Sequence, residues 1–444
     1  MSGSTANCRH TAKATVEAYG NKRVKFKFRG LDFEFALSQG LFSSADIDAG
    51  SRFLLKTLSQ KWDEDTRVGR RLPAAVLDAG CGVGVLGICA AKALDAAAGL
   101  RVRAQDRDEL ARAFTEYNAA RNGVDGAVFS AHTEALLDGP AEPWDLILSN
   151  LPAKAGQPVL LDFISRSAGL LSEGGAVMVV VVNTLAGLLR DRIGELALPL
   201  LGDETGREHT ALCYGAKPGS PGAPHSTPAT ADDAFAGRWP AYFREAGDYV
   251  MEDTGYHIDA IHGAPGFDRS GASAAAMARL AVRLGATLAA RCVARPILVH
   301  EPDQGHFPAW LVKHLEKTAP GGGAPGRIVL SGRNILALEA ARHNTHNQAA
   351  VIPAVDILLG KDALSAAAGE PYGAIFLFPD LTPRTSRISA YWEGLDALLA
   401  TGGIALAALP SSEAERFDRA KPRGFLRLGG HKRRGFRALG FKKQ

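Results

Sequence analysis

The chain has 444 residues, 46% of them hydrophobic and 22% charged, which is enough apolar material for two or three full cores and excludes wholesale disorder. The longest unbroken apolar run, Ala176 to Val182, is far short of the ~20 residues that span a bilayer, so no transmembrane helix and no membrane partner is expected. The net charge of +4 is unevenly spread: Lys421 to Gln444 holds nine Lys or Arg and no acid, and removing those nine charges leaves −5 for the rest.

Met1 to His10 is polar, without an apolar segment before a small-residue cleavage site, so the expected location is the cytoplasm. Asn21 to Phe28 alternates basic and apolar residues, and Leu31 to Leu37 alternates again after Arg29-Gly30, which predicts a β-hairpin. The hairpin carries a second basic stretch, Lys22, Arg23, Lys25, Lys27 and Arg29; basic patches at both ends suit a polyanion. Ala74 to Asp78 reads as a strand, the Gly-rich turn as a loop, and Val85 to Leu94 as a helix. Arg101 to Gln105 is a further strand, Asp108 to about Asn122 a helix, and Asp145 to Ser149 and Ala176 to Val182 are strands. Strands alternating with helices predict an α/β fold with a parallel, doubly wound, Rossmann-like sheet.

From Lys217 to Gly237 the chain turns to Pro, Gly, Ser, Thr and Ala, predicting a linker between a domain over 1–216 and another over 238–444. The second half repeats the first. Phe42-Ser43-Ser44 answers to Phe267-Asp268-Arg269, Arg101 to Ala111 aligns on Arg327 to Ala337, and Thr210 to Tyr214 on Arg437 to Phe441. Leu-Leu-x-x-Gly-Gly turns at Leu170 and Leu398 precede one strand in each half. The expectation is a tandem duplication of one domain.

The turn Asp78-Ala79-Gly80-Cys81-Gly82-Val83-Gly84 follows a strand and opens a helix. Glycines let the backbone approach a ligand, and a carboxylate at the strand end either accepts from an ammonium group or fixes the loop. Gly82, Gly84 and Gly87 also satisfy the dinucleotide pattern, with Asp106 at the distance of a ribose-binding acid, so the loop alone leaves the cofactor open. Asn150-Leu151-Pro152-Ala153-Lys154 ends the strand from Asp145. A carboxamide in a proline-stiffened turn at a strand's carboxyl end suits an amine methyltransferase: the Asn oxygen and a main-chain carbonyl accept the two N–H bonds of a planar amino group, aiming its lone pair at a methyl donor. Read as structure alone, the same turn is of Asx type.

Three stretches in order, Phe42 to Ser51, Val76 to Leu86 and Ser149 to Pro152, resemble the "methyltransferase small" family, whose best-known members are ribosomal RNA guanine-N2 methyltransferases using S-adenosylmethionine (SAM). The resemblance covers about Leu37 to Val182. It implies that Gly80, Cys81 and Gly82 line the SAM site with Asp78, that Asp106 holds the ribose hydroxyls, that His132 lies near the adenine, and that Asn150, Leu151 and Pro152 form the catalytic turn. Those enzymes pair a degenerate first half with an active second half; here the order is reversed. In a gapless comparison Asp78 becomes His300, Gly80 becomes Pro302, Gly82 becomes Gln304, Asp106 becomes Gly332 and Asn150 becomes Phe378.

The family's Asn-Pro-Pro is followed by an aromatic residue that stacks on the target base, whereas this chain has Ala153 and then Lys154. Phe42 is the candidate to supply stacking, with Lys154 and the turn Lys432-Arg433-Arg434 as further substrate contacts. Phe425, Phe436 and Phe441, interleaved with the C-terminal basic residues, suit either stacking on RNA or burial. No metal is expected: five cysteines form no Cys-x-x-Cys pair, and His300, Glu301, Asp303 and His306 fit no ligand spacing. The expected activity is SAM-dependent N-methylation of an exocyclic amine of RNA, most specifically guanine N2 of ribosomal RNA, the amine proton leaving to water or a carbonyl. The alternatives are methylation of a protein glutamine, a non-catalytic RNA-binding or assembly protein, and an NAD-dependent oxidoreductase.

Overall fold

The computed structural model describes residues 12–42, 44–94, 99–140, 142–217, 239–264, 270–319, 323, 325–348, 354–360, 364, 370–379 and 387–444. Ser43, Cys8, Phe267 to Arg269 and nearly all of the linker read over 217–237 lie outside the described residues. The chain divides into two compact units, one on either side of that linker. No described helix is long and apolar enough to cross a membrane.

The first unit opens with a helix over 12–19 and the hairpin β1 (Lys22–Phe28) and β2 (Leu31–Leu37). Val24, Phe28, Phe33 and Phe35 turn inward and are buried. The outward register sets Lys25 opposite Glu34 and Lys27 opposite Asp32. With Lys27–Asp32 at 3.4 Å and Arg29–Asp63 at 2.7 Å, the basic stretch seen in the sequence is largely neutralised by its own sheet partner and by the following helix. Helix α1 (Ala49–Arg67) begins at Asp48, whose carboxylate caps the Ser51 N–H.

The main sheet runs β5-β4-β3-β6-β7-β9-β8, from β3 (Ala75–Ala79), β4 (Arg101–Asp106), β5 (Phe129–Thr133), β6 (Trp144–Asn150), β7 (Leu171–Val182), β8 (Leu200–Thr205) and β9 (His209–Gly215). Its first five strands are parallel, but β9 is antiparallel to both β7 and β8. The sheet is therefore mixed rather than wholly parallel, because a tight hairpin joins β8 to β9 where a helical crossover would be needed to keep them parallel. The strand order reverses between β3 and β6, and the crevice at their carboxyl ends is where such sheets hold ligands.

The second unit has the same strand order, β14-β13-β12-β15-β16-β18-β17, with β12 (Ile297–His300), β13 (Arg327–Gly332), β14 (Ala354–Leu359), β15 (Tyr372–Leu377), β16 (Leu399–Pro410), β17 (Phe425–Arg433) and β18 (Phe436–Lys443). It too is preceded by a hairpin, β10 (Phe243–Met251) and β11 (Thr254–Ile261). From their second leucine onward the Leu-Leu-x-x-Gly-Gly segments form the first residues of β7 and β16 instead of preceding them.

One pair of braces occurs in both units. Asn118 accepts from the Ala36 N–H and donates to the Ala36 carbonyl, while Asn122 does the same at Glu34. In the second unit Asn344 brackets Asp259 and Gln348 brackets His257 in the same way. Each carboxamide satisfies an otherwise unpaired hairpin edge and so fixes the hairpin against the sheet's helical layer.

The C-terminal basic segment is strand. Phe425 and Phe441 are buried against Trp392 at ring separations of 5.2 and 4.9 Å, so they serve the core and are not available for stacking on RNA. Lys432 and Arg433 close β17, and Arg434-Gly435 is the two-residue turn into β18.

Candidate functional site

Three loops meet at the carboxyl edge of the first sheet. After β3 the chain takes left-handed φ values at Gly80 (77°), Gly82 (57°) and Gly84 (87°). The Gly80 and Cys81 N–H groups donate to the Gln105 carbonyl, tying the loop to β4. A Cβ at Gly82 would meet nothing within 4 Å; the left-handed backbone there favours glycine, and the space beside it is open to a ligand.

Asp106 ends β4 beside this space. Its Oδ2 accepts from the Gly82 N–H at 3.0 Å and its Oδ1 from the Asp108 N–H at 3.0 Å, which leaves lone pairs for two vicinal hydroxyls. Burial holds this carboxyl above its ordinary value, against those hydrogen bonds. Of the two roles that the sequence leaves open for Asp78, an ammonium acceptor or a loop anchor, the geometry provides the anchor. It is fully buried, Oδ2 accepts from the Gly87 N–H at 2.7 Å, and Oδ1 has no hydrogen-bond partner. It fixes the loop to the following helix, and burial pushes its carboxyl up to about 7. Cys81 is buried with its Sγ 3.5 Å from Thr115 Oγ1, so it contributes backbone to the loop. His132 lies on β5 opposite Gln105, and burial followed by the Arg103 charge lowers its pKa, keeping it neutral at pH 7.

Asn150 ends β6. Its Nδ2 donates to Asp48 Oδ2 at 2.7 Å and to Ser51 Oγ at 3.1 Å. A carboxylate only accepts, so the amide nitrogen must face Asp48 and Oδ1 is left as the outward acceptor. Asp48 and Ser51 were not singled out from the sequence as site residues. The signal was present as an N-cap pattern, Asp48-Ala49-Gly50-Ser51, within the quoted family stretch. Leu151 is buried and its N–H donates to the Val180 carbonyl. Its side chain therefore anchors the turn; Pro152 and Lys154 are exposed in the following turn. Phe42 is 70% exposed on the segment leading to α1.

In the second unit the strand register corrects the gapless comparison by one residue. Asp78 pairs with Ala104 as Val299 pairs with Leu330, and Gly80 donates to Gln105 as Glu301 donates to Ser331. The counterparts of Asp78, Gly80 and Gly82 are thus Val299, Glu301 and Asp303, and the last two keep the left-handed conformation at φ 53° and 51°. The Glu301 carboxylate accepts from the Arg333 N–H at 3.1 Å, and a Cβ on Gly332, the counterpart of Asp106, would lie 3.0 Å from Glu301 Oε2. Glycine and carboxylate have exchanged places, and the side chain of the loop residue fills the space. Burial pushes Asp303 up to about 6 and His300 down to about 4.

Basic residues gather at the edge of the second sheet. Arg279 and Arg283 of the helix Ala272–Ala294, together with Arg433, surround His431, whose pKa is lowered first by burial and then by Arg283 and Arg279. Glu252 pairs with both Arg279 (2.6 Å) and Arg433 (3.2 Å). The corresponding edge strand of the first unit, β8, carries Asp203 and Glu204 instead.

A glycine loop after the first strand of the sheet, an acid ending the second and a carboxamide ending the fourth, on seven strands in this order, form a site of the kind that SAM-dependent methyltransferase domains use. Residues 32–196, within the first unit, match the family model of the methyltransferase small domain. A ribosomal RNA small subunit methyltransferase C of Actinobacillus pleuropneumoniae is 26% identical over 175 residues, 38% of this chain and 49% of that relative. The Vibrio vulnificus protein of the same name is 30% identical over 149 residues, covering 34% and 39%. The chain thus spans about half or less of the length of these relatives. The protein YbxB of Bacillus subtilis is 27% identical over 174 residues, 39% of this chain and 79% of the relative. The solved structure of the T. thermophilus 16S rRNA N2 G1207 methyltransferase, in complex with AdoMet and guanosine, covers 97% of this chain and 100% of its own, with a TM-score of 0.58 and 16% identity, and so shares its fold.

Proposed function

We propose that this chain methylates an exocyclic amine of RNA, the N2 of a guanine in ribosomal RNA, and that its single SAM site lies in the first unit. The observation that carries the reading is the fixed Asn150 carboxamide: both N–H bonds are taken by Asp48 and Ser51, so Oδ1 is preset to accept an N–H from a planar amino group. Bound SAM supplies an electrophilic methyl group on a sulfonium. Gly80, Cys81, Gly82 and Asp106 would hold it, Asp106 on the ribose and His132 beside the adenine, while Asp78 keeps the loop in shape from below. Holding the amine lone pair toward the methyl group by Asn150 and the adjoining main chain is catalysis by orientation. Exposed Phe42 offers the aromatic face that Ala153 lacks, with Lys154 nearby in sequence. Lys432, Arg433 and Arg434, with Arg279 and Arg283, offer phosphate contacts on the second unit.

The names of the ribosomal RNA methyltransferase relatives support this substrate class. The test is incubation of the full chain with labelled SAM and total RNA or protein from cells lacking it, followed by digestion. Label in N2-methylguanosine is expected. Label confined to N-methylglutamine, or none in either fraction, overturns the substrate reading.

A further inference from the structure

We infer that His209 takes the proton that the substrate amine loses on methylation; the inference rests on the reading of Asn150 as the amine-orienting group. His209 is the first residue of β9 and pairs with Val182, at the same carboxyl edge of the sheet as Asn150, which pairs with Val180. The junction is Gly50 in the first turn of α1. A Cβ there would lie 2.9 Å from Asp48 Oδ2, 3.1 Å from His209 Cδ2 and 3.3 Å from Asn150 Oδ1. Three polar side chains from three elements thus converge so closely that only glycine fits between them.

The imidazole is held in place but not consumed. Asn183 Nδ2 donates to the carbonyls of Gly206 and Arg207, and Thr210 Oγ1 donates to Asn183 Oδ1, bracing the backbone on both sides of His209. Among the described residues the ring itself makes no hydrogen bond or ion pair. Asp48 is unsuited to the task, because its Oδ2 already accepts from the Ser51 N–H and Asn150 Nδ2 and protonation would release the carboxamide. The charged residues beside His209 in the chain are Arg207 and Glu208, and the facing edge strand β8 carries Glu204, held 3.5 Å from Thr57 Oγ1 of α1. In the second unit the register position of His209, opposite Pro410, is Phe436, and Asn150 is matched there by Phe378. Where the carboxamide is lost the imidazole is lost with it.

The step balances as a methyl transfer. The amine nitrogen forms its bond to carbon as the carbon–sulfur bond breaks, the electron pair stays on sulfur as a thioether, and the nitrogen proton passes to a His209 ring nitrogen, directly or through one water, and then to solvent. Positioned bases of this kind contribute ~10²-fold or more.

The experiment measures single-turnover methyl transfer by the full chain between pH 5.5 and 9, for the wild type, His209→Gln, which keeps polarity but takes no proton, and His209→Ala with and without added imidazole. Expected are an acid limb in the wild-type profile, a rate at least ~30-fold lower with no such limb in His209→Gln, partial rescue of His209→Ala by imidazole, and SAM affinity within about two-fold throughout, measured by calorimetry. A His209→Gln rate within about three-fold of wild type, or an unchanged acid limb, overturns the proposal. A wild-type chain that labels protein and not RNA overturns the substrate reading instead, and the same profile on that acceptor then decides the role of His209.

Discussion

Asn150 Nδ2 reaches Asp48 Oδ2 at 2.7 Å across 102 positions of sequence, so the carboxamide proposed to orient the substrate is itself oriented by a helix cap. Asp48→Ala should lower methyl transfer ~10 to 100-fold by freeing the carboxamide to rotate, and cost about 1 kcal/mol of stability through the lost cap. SAM affinity should hold. Transfer rates, calorimetry and thermal melting separate these effects; a rate loss that merely tracks loss of folded protein would count against the orienting role.

Asn150→Ala should remove most transfer, ~2 to 4 kcal/mol in the transition state by analogy with loss of a preorganised polar group, while binding SAM as the wild type does. Asp106→Ala should weaken SAM binding instead. Calorimetry of the full chain should give one site per chain in the wild type, and a second site, or matching profiles for the two variants, would contradict the roles assigned.

Reversing Lys432, Arg433 and Arg434 to Glu, or Arg279 and Arg283 to Glu, should weaken RNA binding and flatten its salt dependence, because fewer counterions are released per complex. SAM binding should not move. RNA affinity unchanged across a salt series would reduce this edge to a solvated surface.

Asp78 gives a pH signature of the opposite sign to an ordinary paired carboxylate. Its folded value is raised from 3.8 to about 7, so between those values the native state binds more protons than the unfolded state and stability falls as pH rises. Asp78→Asn keeps an acceptor for the Gly87 N–H and removes the charge. Its stability, followed by melting temperature, should gain on the wild type from pH 5 to pH 8, by on the order of a few kcal/mol at the top of the range, with no gain below pH 4. Parallel melting curves across that range would show the carboxyl to be unperturbed.

The hairpin, the glycine loop, Asp106 and Asn150 were legible because each is a local pattern: alternation, a run of glycines after an apolar strand, or a polar residue ending one. What escaped depends on partners distant in sequence. The basic hairpin looked like an RNA patch until its register brought Asp32 and Glu34 across from the lysines. Phe425 and Phe441 read as possible stacking residues because nothing local announces Trp392. The strand β5 is short and half exposed, and the hairpin β10–β11 is largely polar on its first strand, so neither shows a clear period. The one-residue shift in the second unit was hidden because left-handed Glu301 and Asp303 hold backbone shapes that sequence reading assigns to glycine.

The pairing of Glu301 with Gly332 couples two positions that could otherwise vary alone. An acid at position 332 would set its side chain against the Glu301 carboxylate, a like-charge clash in a confined space. Glycine at 301 would take away the acceptor of the Arg333 N–H. The carboxylate of the second unit's loop therefore occupies the place that an acid ending β13 would need, and neither position can take on the first unit's arrangement unless the other changes with it.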